Sequence, residues 1–392
     1  MKELIIKGEY EEGALQQAKN CLKDAEHFLL MADNHKGYGM PIGGVAVYKD
    51  KISPAGVGFD IACGNKAVKL DIKYEDIKDS LSDLADSIFS ILSFGVGLSN
   101  DEKVEHPLFD DTAWNINFHR NNPEIKNIAQ KQLGTIGSGN HYVDIFKDEE
   151  DFVWIGVHFG SRGLGHKTAS HFMQLAGNNL NIMDEKPHLL DINTVEGQEY
   201  ITAMNLAGRY AYAGRDWVCL RVAKILQGNI TKEVHNHHNF AWLENHNGVD
   251  YWVVRKGATP AFPGQEGFVG GSMGDNAVIV KGIDGEESKS LFYSTVHGAG
   301  RVMSRTQAAG KFKGWGDKRK RVSEGLVNFD EVKSMLIEKG IHLRGGGADE
   351  APQVYKRLNE VLDYHKDTIK ILHTLTPLVV CMAGNEFDPY KD

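Results

Sequence analysis

A single glycine-rich stretch, GVGFDIACG at residues 56–64, constrains the fold of this chain more than any other. It places Asp60 and Cys63 three residues apart among glycines, where the backbone can turn tightly around a small ligand. A free cysteine is usually an inert apolar residue, and an aspartate so close to it indicates that both side chains face a common partner. We therefore predict that these two side chains bind a metal ion.

Four histidines further along the chain could complete such a site. They are His141 in GSGNH, His158 in GVHFG, His238 in HNHHN and His297 in HGAGR. Their wide spacing is typical of a deep active site and unlike the close ligand pairs of a zinc finger. The six groups exceed what one tetrahedral ion needs, so a thiolate could bridge two ions. Carboxylate, thiolate and imidazole ligands together suit Mn²⁺, Zn²⁺ or Fe²⁺ better than Mg²⁺.

His297 is the group best placed to remain free of the metal. The glycine and alanine residues around it leave its ring open to attack from outside, and Arg301 and Arg305 can hold phosphate nearby. A neutral imidazole is a competent nucleophile toward phosphorus, and the resulting P–N bond is labile enough to pass the group onward. The pattern favours nucleotidyl transfer, although glycine-flanked histidines also occur in purely structural turns.

The overall composition is typical of a globular protein and excludes several classes. Length alone suggests about two domains of roughly 150 residues each, but no linker supports such a division. The net charge of −9 excludes a uniformly basic nucleic-acid surface but not a local basic groove. The four cysteines form no CxxC pair, and no secretory leader precedes them, so we expect a reducing, cytoplasmic location. No apolar run reaches the ~18 residues that a membrane span needs.

Hydrophobic periodicity predicts alternating helices and strands. Helices are expected over residues 10–31, 74–95, about 160–178, 196–227, from 328 or 330 to about 339, and 351–373. Strands are expected at residues 4–6, 45–48, 66–72, 152–157, 240–243, 251–254, 277–280 and 378–381. Residues 100–133 show no regular pattern.

Several loops combine glycines with cations and indicate contacts with phosphate. They are GSRGLGH around Arg162 at a helix start, RKGA around Lys256, and GGSMG around Ser272. A denser basic cluster, residues 311–321, contains six cations and Trp315. Such a run is usually a solvated face, but here it also resembles a strip for a polyanionic chain.

Taken jointly, these motifs closely resemble the RtcB family of RNA-splicing ligases. The resemblance extends from DNHKGYG at residues 33–39 to LVVC at residues 378–381, and includes GVGFDIACG, GTIGSGNH, VHFGSRGLGH, HHN, RKGAT, GSMG and HGAGR in the family's order. It implies an α/β fold in which layered β-sheets flanked by helices surround a deep dimetal cleft. It also implies that residues 1–392 form one catalytic domain.

The resemblance further implies roles for individual residues. Two Mn²⁺ ions would share Cys63, with Asp60 and His141 on one ion and His158 and His238 on the other. His297 would attack GTP and carry GMP, which would activate an RNA 3′-phosphate or 2′,3′-cyclic phosphate end for attack by a 5′-hydroxyl end. The expected nucleotide contacts are Asn140, Asp144, Ser272, Gly298, Ala299 and Tyr355. The expected RNA-phosphate contacts are Arg162, Lys256 and Arg301.

The chain departs from the family pattern at three positions. Ala383 stands where the family has a lysine that contacts guanylate, Ala32 replaces a proline, and Asp144 replaces a longer glutamate. Lys391 in the tail is a candidate substitute for the missing lysine. The alternative functions are a dinuclear phosphodiesterase or phosphatase acting on RNA ends and a non-catalytic RNA-binding relative. An archease-type activator is a further expected partner.

Overall fold

The fold consists of strands and helices that follow one another along the whole described chain. A computed structural model describes residues 2–313 and 320–384. Its strands are β1 (Glu3–Ile6), β2 (His27–His35), β3 (Ile42–Tyr48), β4 (Lys51–Ile52), β5 (Gly64–Lys73), β6 (Tyr142–Lys147), β7 (Phe152–Phe159), β8 (Leu190–Asp191), β9 (Ile230–His237), β10 (Asn239–His246), β11 (Val249–Lys256), β12 (Ala258–Pro260), β13 (Glu266–Val269), β14 (Ala277–Gly282), β15 (Ser294–Val296), β16 (Lys311–Lys313), β17 (Lys320–Ser323), β18 (His342–Arg344) and β19 (Ile369–Met382). Its α-helices are α1 (Glu12–Leu22), α2 (Pro54–Val57), α3 (Tyr74–Ile77), α4 (Leu81–Ile91), α5 (Asn117–Asn121), α6 (Glu124–Gln132), α7 (Arg162–Ala176), α8 (Val195–Leu226), α9 (Glu286–Ser290), α10 (Arg305–Ala309), α11 (Phe329–Glu338) and α12 (Leu358–Asp363). Short 3₁₀ segments lie at Lys78–Ser80, Pro107–Asp110, Thr112–Asn115, Ala348–Glu350 and Pro352–Val354.

Two large sheets form the layers of the fold. The first has the strand order β1-β2-β3-β11-β10, in which β1 and β2 are parallel and the other neighbours are antiparallel. The second has the order β13-β14-β19-β6-β7-β5-β9, with β18 added in parallel to β19. Together with the helices these sheets confirm the predicted α/β class. The interpretation of the chain as one catalytic domain stays a prediction.

The second sheet curls until strands from its two ends meet. At one end β13 contacts β9 and β5 from the other end, and two side-chain amides fasten the contact. Asn236 Oδ1 accepts a hydrogen bond from the Phe268 backbone N–H at 3.0 Å, and Asn65 Nδ2 donates to the Phe268 carbonyl at 2.8 Å. Both amides are buried. This curvature brings together the ends of β5, β7 and β9, where several candidate ligands lie.

The long helix α8 packs against the second sheet and α7 and contributes to two hydrophobic cores. Tyr200 and Tyr210 pack into a core that α7 and the first sheet share, whereas Val218 and Val222 pack against the second sheet. Its position confirms the predicted core helix at residues 196–227. None of the helices within residues 2–313 and 320–384 combines the length and apolar character that a membrane span requires.

The prediction was wrong for the second half of the first helix and for most of the last one. Helix α1 ends at Leu22, and the apolar run of residues 28–32 lies in β2, between β1 and β3. Of residues 351–373, only α12 is α-helical, and β19 already begins at Ile369. The apolar run in β2 is buried on both faces of the sheet, so it shows no periodicity that separates strand from helix. The start of β19 is partly exposed, and Leu362, Ile369 and Leu372 follow one another at spacings of seven and three, which also suit a helix.

Other predicted elements are confirmed or refined. Helix α7 confirms the predicted helix after Gly160, and Asn328 Oδ1 accepts a hydrogen bond from the Asp330 N–H at the start of α11, as expected of an N-cap. The predicted helix at residues 74–95 consists of α3, a 3₁₀ turn and α4. Residues 100–133 hold two 3₁₀ segments, α5 and α6 rather than irregular chain alone.

The basic cluster is described only in part. Lys311 and Lys313 lie in β16, and Lys320 and Arg321 lie in the antiparallel partner β17. Trp315, Lys318 and Arg319, like Lys391 in the tail, lie outside the described residues. The proposed strip for a polyanionic chain therefore stays a prediction.

Buried His365 predicts a specific dependence of stability on pH. Its side chain is fully buried, its Nε2 accepts the Ala32 N–H at 3.4 Å, and burial lowers the pKa of His365 to about 4. Between about pH 6.5 and pH 4 the unfolded chain binds a proton at this ring that the folded chain does not bind. The free energy of unfolding therefore falls as the pH falls through this range.

We expect this contribution to appear as a difference between the wild type and His365→Gln in urea denaturation. From pH 7 to pH 5 the wild type should lose about 2 kcal/mol of unfolding free energy that the variant does not lose. The other histidines cancel in the difference, and measurements at pH 8 supply its baseline. A difference that stays constant across this range would contradict the assignment.

Candidate active site

Cys63 lies where two groups of candidate metal ligands meet. Its Sγ is 3.7 Å from His141 Nε2 and 3.6 Å from His158 Nε2. Asp60, Cys63 and His141 form one group, and Cys63, His158 and His238 form the other, each with its ligand atoms within 4.8 Å of one another. All five residues predicted from the sequence as ligands therefore converge, with Cys63 common to both groups.

The separations between these atoms fit a metal centre. Nitrogen and sulfur ligands at about 2.1 and 2.3 Å from one tetrahedral ion are roughly 3.6 Å apart, which matches both distances from the Cys63 thiol. His141 Nε2 and Asp60 Oδ2 are 3.1 Å apart, close enough to share an ion. The donor set of this site therefore fits two ions that share Cys63.

The local fold explains why ligands so distant in the sequence meet. Cys63 directly precedes β5, and His158 lies near the end of the neighbouring strand β7, paired in register with Asn65. His141 directly precedes β6, on the other side of β7. His238 lies in the turn between β9 and β10, and its backbone N–H donates to the Cys63 carbonyl at 2.9 Å. Neighbouring strand ends of the curled sheet thus carry all the imidazoles of the centre.

A hydrogen bond on the far side of the His158 ring selects the tautomer that a metal needs. His158 Nδ1 lies 2.6 Å from Asn65 Oδ1, which places the proton on Nδ1 and directs the Nε2 lone pair toward Cys63. His141 Nδ1 lies 3.0 Å from the Ile136 carbonyl and 3.2 Å from Arg162 Nη1. His238 Nδ1 is buried and has no hydrogen-bond partner among the described residues. A buried polar atom of this kind is what a bound ion would satisfy.

The electrostatics of the site keep His158 and His238 neutral and the Asp60 carboxylate charged. Burial and the neighbouring histidines hold the pKa values of His158 and His238 well below their usual range. Burial alone would raise the pKa of Asp60, but the hydrogen bond and charge of His141 lower it to about 2. Burial, reinforced by Asp60, raises the pKa of the Cys63 thiol well above its usual value, and a coordinated ion would displace that proton.

Gly160 shows why the site requires glycine at a close approach. A Cβ atom at this position would lie 2.1 Å from Asp60 Oδ1. Any larger residue would therefore push the carboxylate away from His141.

Asp33 is a functional candidate to which the sequence interpretation gave no role. Its carboxylate is fully buried, and Oδ2 accepts hydrogen bonds from His297 Nδ1 at 2.6 Å and from the His297 backbone N–H at 2.9 Å. Burial alone would raise the pKa of Asp33, but the charge and hydrogen bonds of His297 lower it below its usual value. The only signal in the sequence was its place at the start of the DNHKGYG stretch.

His297 completes the arrangement beside the ligands. Its ring centre lies 4.9 Å from that of His238, so the predicted nucleophile borders the candidate metal site. Because Nδ1 is engaged by Asp33, its Nε2 carries the free lone pair. His297 and the five candidate ligands line one cleft of about 820 Å³.

Comparison with known proteins identifies the family. A family model described as tRNA-splicing ligase RtcB matches residues 15–121 and 115–383. This chain belongs to the RtcB family. The RNA-splicing ligase RtcB of Escherichia coli K12 is 33% identical to it over 405 aligned positions, covering 95% of both chains. The tRNA-splicing ligase RtcB of Archaeoglobus fulgidus is 30% identical, covering 94% of this chain and 91% of the relative. The RNA-splicing ligase RtcB homolog 1 of Entamoeba dispar is 31% identical, covering 90% of this chain and 78% of the relative.

The nucleotide contacts expected from the RtcB resemblance all line the same cleft. They are Asn140, Asp144, Ser272, Gly298, Ala299 and Tyr355. Burial raises the pKa of Asp144 well above its usual range, and its Oδ1 has no hydrogen-bond partner among the described residues. The buried Tyr142 hydroxyl in the same cleft also lacks one among these residues. These two groups are therefore free to form hydrogen bonds with a ligand. Asn140, in contrast, already has a neighbour, since its Nδ2 lies 3.3 Å from His158 Nε2.

The three expected RNA-phosphate contacts of this RtcB-family chain lie in different settings. Arg301 lines the cleft, donating to the Tyr355 hydroxyl at 3.1 Å and the Asp349 carbonyl at 2.8 Å. Lys256 also lines it but is buried, and its ammonium donates to the Tyr38 carbonyl at 2.5 Å. Arg162 does not line the cleft and lies behind the ligands, with Nη1 3.2 Å from His141 Nδ1.

Ala383, the residue in the place of the usual RtcB lysine, lies just beyond the end of β19. It is buried, and its carbonyl accepts the Gly346 N–H at 3.0 Å. Val380 and Met382 from the same strand line the cleft, whereas Ala383 does not. The position therefore contributes packing and no cation.

Proposed function

We propose that this chain is a GTP- and Mn²⁺-dependent RNA ligase. It would join RNA 3′-phosphate or 2′,3′-cyclic phosphate ends to 5′-hydroxyl ends, in tRNA splicing or in RNA repair. The observation that carries this proposal is the His297 ring, held by the buried Asp33 beside a group of metal ligands in a member of the RtcB family. A dinuclear phosphodiesterase has no need of such a nucleophile.

The first step would be guanylylation of His297. Asp33 keeps the proton on Nδ1, so the Nε2 lone pair attacks the α-phosphorus of GTP. A P–N bond forms, the bond to the bridging oxygen breaks, and pyrophosphate leaves. The ring gains positive charge in this step. The Asp33 carboxylate, whose Oδ2 lies 2.6 Å from His297 Nδ1, stabilises that charge.

The second and third steps would transfer GMP and join the RNA ends. An oxygen of the RNA 3′-phosphate attacks the phosphorus on His297, the P–N bond breaks, and the neutral ring is regenerated. The 5′-hydroxyl of the second RNA then loses its proton and attacks the activated 3′-phosphate, with GMP as the leaving group. A 2′,3′-cyclic phosphate would first be hydrolysed to a 3′-phosphate at the same site.

Asp60, Cys63, His141, His158 and His238 would hold the two Mn²⁺ ions. When bound, these ions would supply Lewis-acid neutralisation of phosphate charge. The remaining charge would be met by Arg301, with Lys256 as a further candidate that lines the cleft. Arg162, which was also expected to contact RNA phosphate, would act on the site from behind the ligands. Asp144 and Tyr355 are the candidates for contacts with the guanine base, and Asn140, Ser272, Gly298 and Ala299 for contacts with the rest of the nucleotide.

The test is incubation of the full chain with Mn²⁺ and GTP labelled at the α-phosphate. A ligase should retain acid-labile label on the protein and release it when RNA with a 3′-phosphate is added. It should then join that RNA to a 5′-hydroxyl RNA. Turnover of cyclic phosphate ends without label on the protein would instead indicate a phosphodiesterase, and RNA binding without turnover would indicate a binding protein. Addition of an archease-type protein to the same assay tests the need for an activator.

Asp33→Asn should slow guanylylation without removing the metals. The neutral amide cannot stabilise the charge that develops on the ring, and it can hold the wrong tautomer, so we expect a loss of roughly 10²-fold to 10⁴-fold in rate. Single-turnover labelling with GTP measures this rate, and metal analysis checks occupancy. Asp184→Asn, the same change at an exposed carboxylate that pairs with Lys36, is the control. Wild-type labelling by Asp33→Asn would exclude the role.

A further inference from the structure

Arg215, in the middle of α8, is a fully buried cation beneath the candidate metal centre. Its guanidinium donates to the Phe159 carbonyl at 2.6 Å, the Ala62 carbonyl at 3.1 Å and His235 Nε2 at 2.7 Å, and its Nη2 lies 3.0 Å from His237 Nδ1. A ring nitrogen that accepts a guanidinium N–H carries a lone pair, so both histidines are neutral, as are the two carbonyls. Burying a cation with neutral acceptors alone is unfavourable. The burial of Arg215 therefore needs an explanation other than the stability of the core.

Each segment that Arg215 holds carries a candidate metal ligand. Ala62 directly precedes Cys63, Phe159 directly follows His158, and His237 directly precedes His238. A single side chain thus fastens the three segments that supply the Cys63–His158–His238 group. The long Arg215 side chain approaches these segments from the helix side of the sheet. It can do so because α8 packs against β5, β7 and β9.

The Ala62 backbone shows that this attachment holds an unfavourable conformation in place. Ala62 has a φ of 60°, in the left-handed region that residues with a Cβ avoid. Its carbonyl accepts the Arg215 hydrogen bond, and its N–H donates to the Asn239 carbonyl at 2.7 Å. Such strain persists only where the surroundings over-determine the conformation. This turn is what directs the Cys63 side chain toward His141 and His158.

The charge of Arg215 also favours the state that binds metal. The candidate ligand set includes a thiolate and the Asp60 carboxylate, whose negative charges attract a buried cation. Arg215 can therefore offset part of the repulsion between these two anions once a bound ion has displaced the Cys63 proton. In return, the anionic centre stabilises a guanidinium that has no carboxylate among its four hydrogen-bond partners.

We propose that Arg215 is a positioning residue for the metal centre. It holds the left-handed Ala62 and the backbones next to His158 and His238, and so sets the ligand geometry and the metal affinity. The inference rests on the proposed dimetal site. It differs from a purely structural role, in which loss of Arg215 would lower stability and leave metal binding unchanged.

The test measures Co²⁺ binding by the full chain, by calorimetry and by the thiolate-to-cobalt charge-transfer absorption. Arg215→Met removes the charge and the hydrogen bonds but keeps an unbranched side chain. Partners that orient metal ligands typically contribute 10-fold to 100-fold in affinity, so Arg215→Met should bind Co²⁺ at least about 10-fold more weakly. Its charge-transfer absorption per bound ion should also change. Arg215→Lys keeps the charge but cannot reach all the acceptors, and we expect an intermediate affinity.

Tyr210→Phe is the matched control in the same helix. It removes a buried hydrogen bond of 2.9 Å to the Ala129 carbonyl that touches no ligand segment. We expect it to lower the urea midpoint and to leave the Co²⁺ affinity and spectrum unchanged. Parallel urea denaturation of every variant separates loss of stability from loss of metal binding.

A second variant isolates the strained turn. Glycine adopts a left-handed conformation without restraint, so Ala62→Gly in the Arg215→Lys background should recover part of the lost Co²⁺ affinity. This double variant and Arg215→Lys keep the proposal testable if Arg215→Met does not fold.

Wild-type Co²⁺ affinity and spectrum in folded Arg215→Met, or in Arg215→Lys where that is the only folded variant, would overturn the positioning role. A wild-type protein that binds no Co²⁺ would instead overturn the dimetal site itself.

Discussion

Replacing His297 by alanine is expected to abolish the transfer of GMP to the protein while leaving two divalent ions bound. The reason is geometric, since the ring borders the ligand group but its Nδ1 is engaged by Asp33. Without the imidazole no covalent intermediate can form, and ligation should fall to background, a loss of roughly 10⁴-fold to 10⁶-fold. The measurements are acid-labile label from GTP, ligation of a 3′-phosphate RNA to a 5′-hydroxyl RNA, and metal content.

His188→Ala is the matched control for this experiment, because His188 is partly exposed and pairs with Glu185 away from the site. It should label and ligate as the wild type does. Label retained by His297→Ala would assign the nucleophile to another residue. Loss of both metals in His297→Ala would place this ring among the ligands instead.

Replacing Cys63 by alanine is expected to remove metal from both positions. Its Sγ is common to the two ligand groups, so its loss leaves Asp60 with His141 on one side and His158 with His238 on the other. Two ligands are too few to hold an ion tightly in a site of this type. We expect metal content measured after dialysis to fall from two ions per chain to near zero, and ligation to fall to background with it.

Cys219→Ala provides the comparison, because Cys219 is buried in the core next to Val218 and belongs to neither ligand group. It should lower the urea midpoint slightly and retain both ions. If Cys63→Ala retained two tightly bound ions, the bridging assignment would be wrong. If it retained one ion at wild-type affinity, Cys63 would serve a single position.

The secondary structure followed from the sequence where length and flanking residues separate helix from strand. Helix α8 was predicted from its long helical periodicity, and β7 from a short apolar run that is bounded by polar and glycine-rich segments. The prediction was wrong at β2 and at the first half of β19. Residues 28–32 of β2 are buried on both faces of a sheet, and a fully buried run carries no periodic signal.

The sequence by itself determined the family of this chain and the reactive side chains that it carries. The residue types at Asp60, Cys63 and the four histidines indicated a mixed-ligand metal site and a nucleophile, and the motifs around them indicated the family. These signals are local. Each is a reactive side chain within a short glycine- or asparagine-rich motif, and the motif is recognised from that segment alone.

Only the tertiary structure decided how those groups are held. Asp33 reaches His297 across 264 positions of sequence, Arg215 fastens three ligand segments from behind, and Arg162 lies outside the cleft against His141. Contacts of this kind depend on the curl of one sheet and on the packing of α8 beneath it. Their energies arise from burial and from hydrogen bonds between distant segments, and no local pattern in the sequence encodes either.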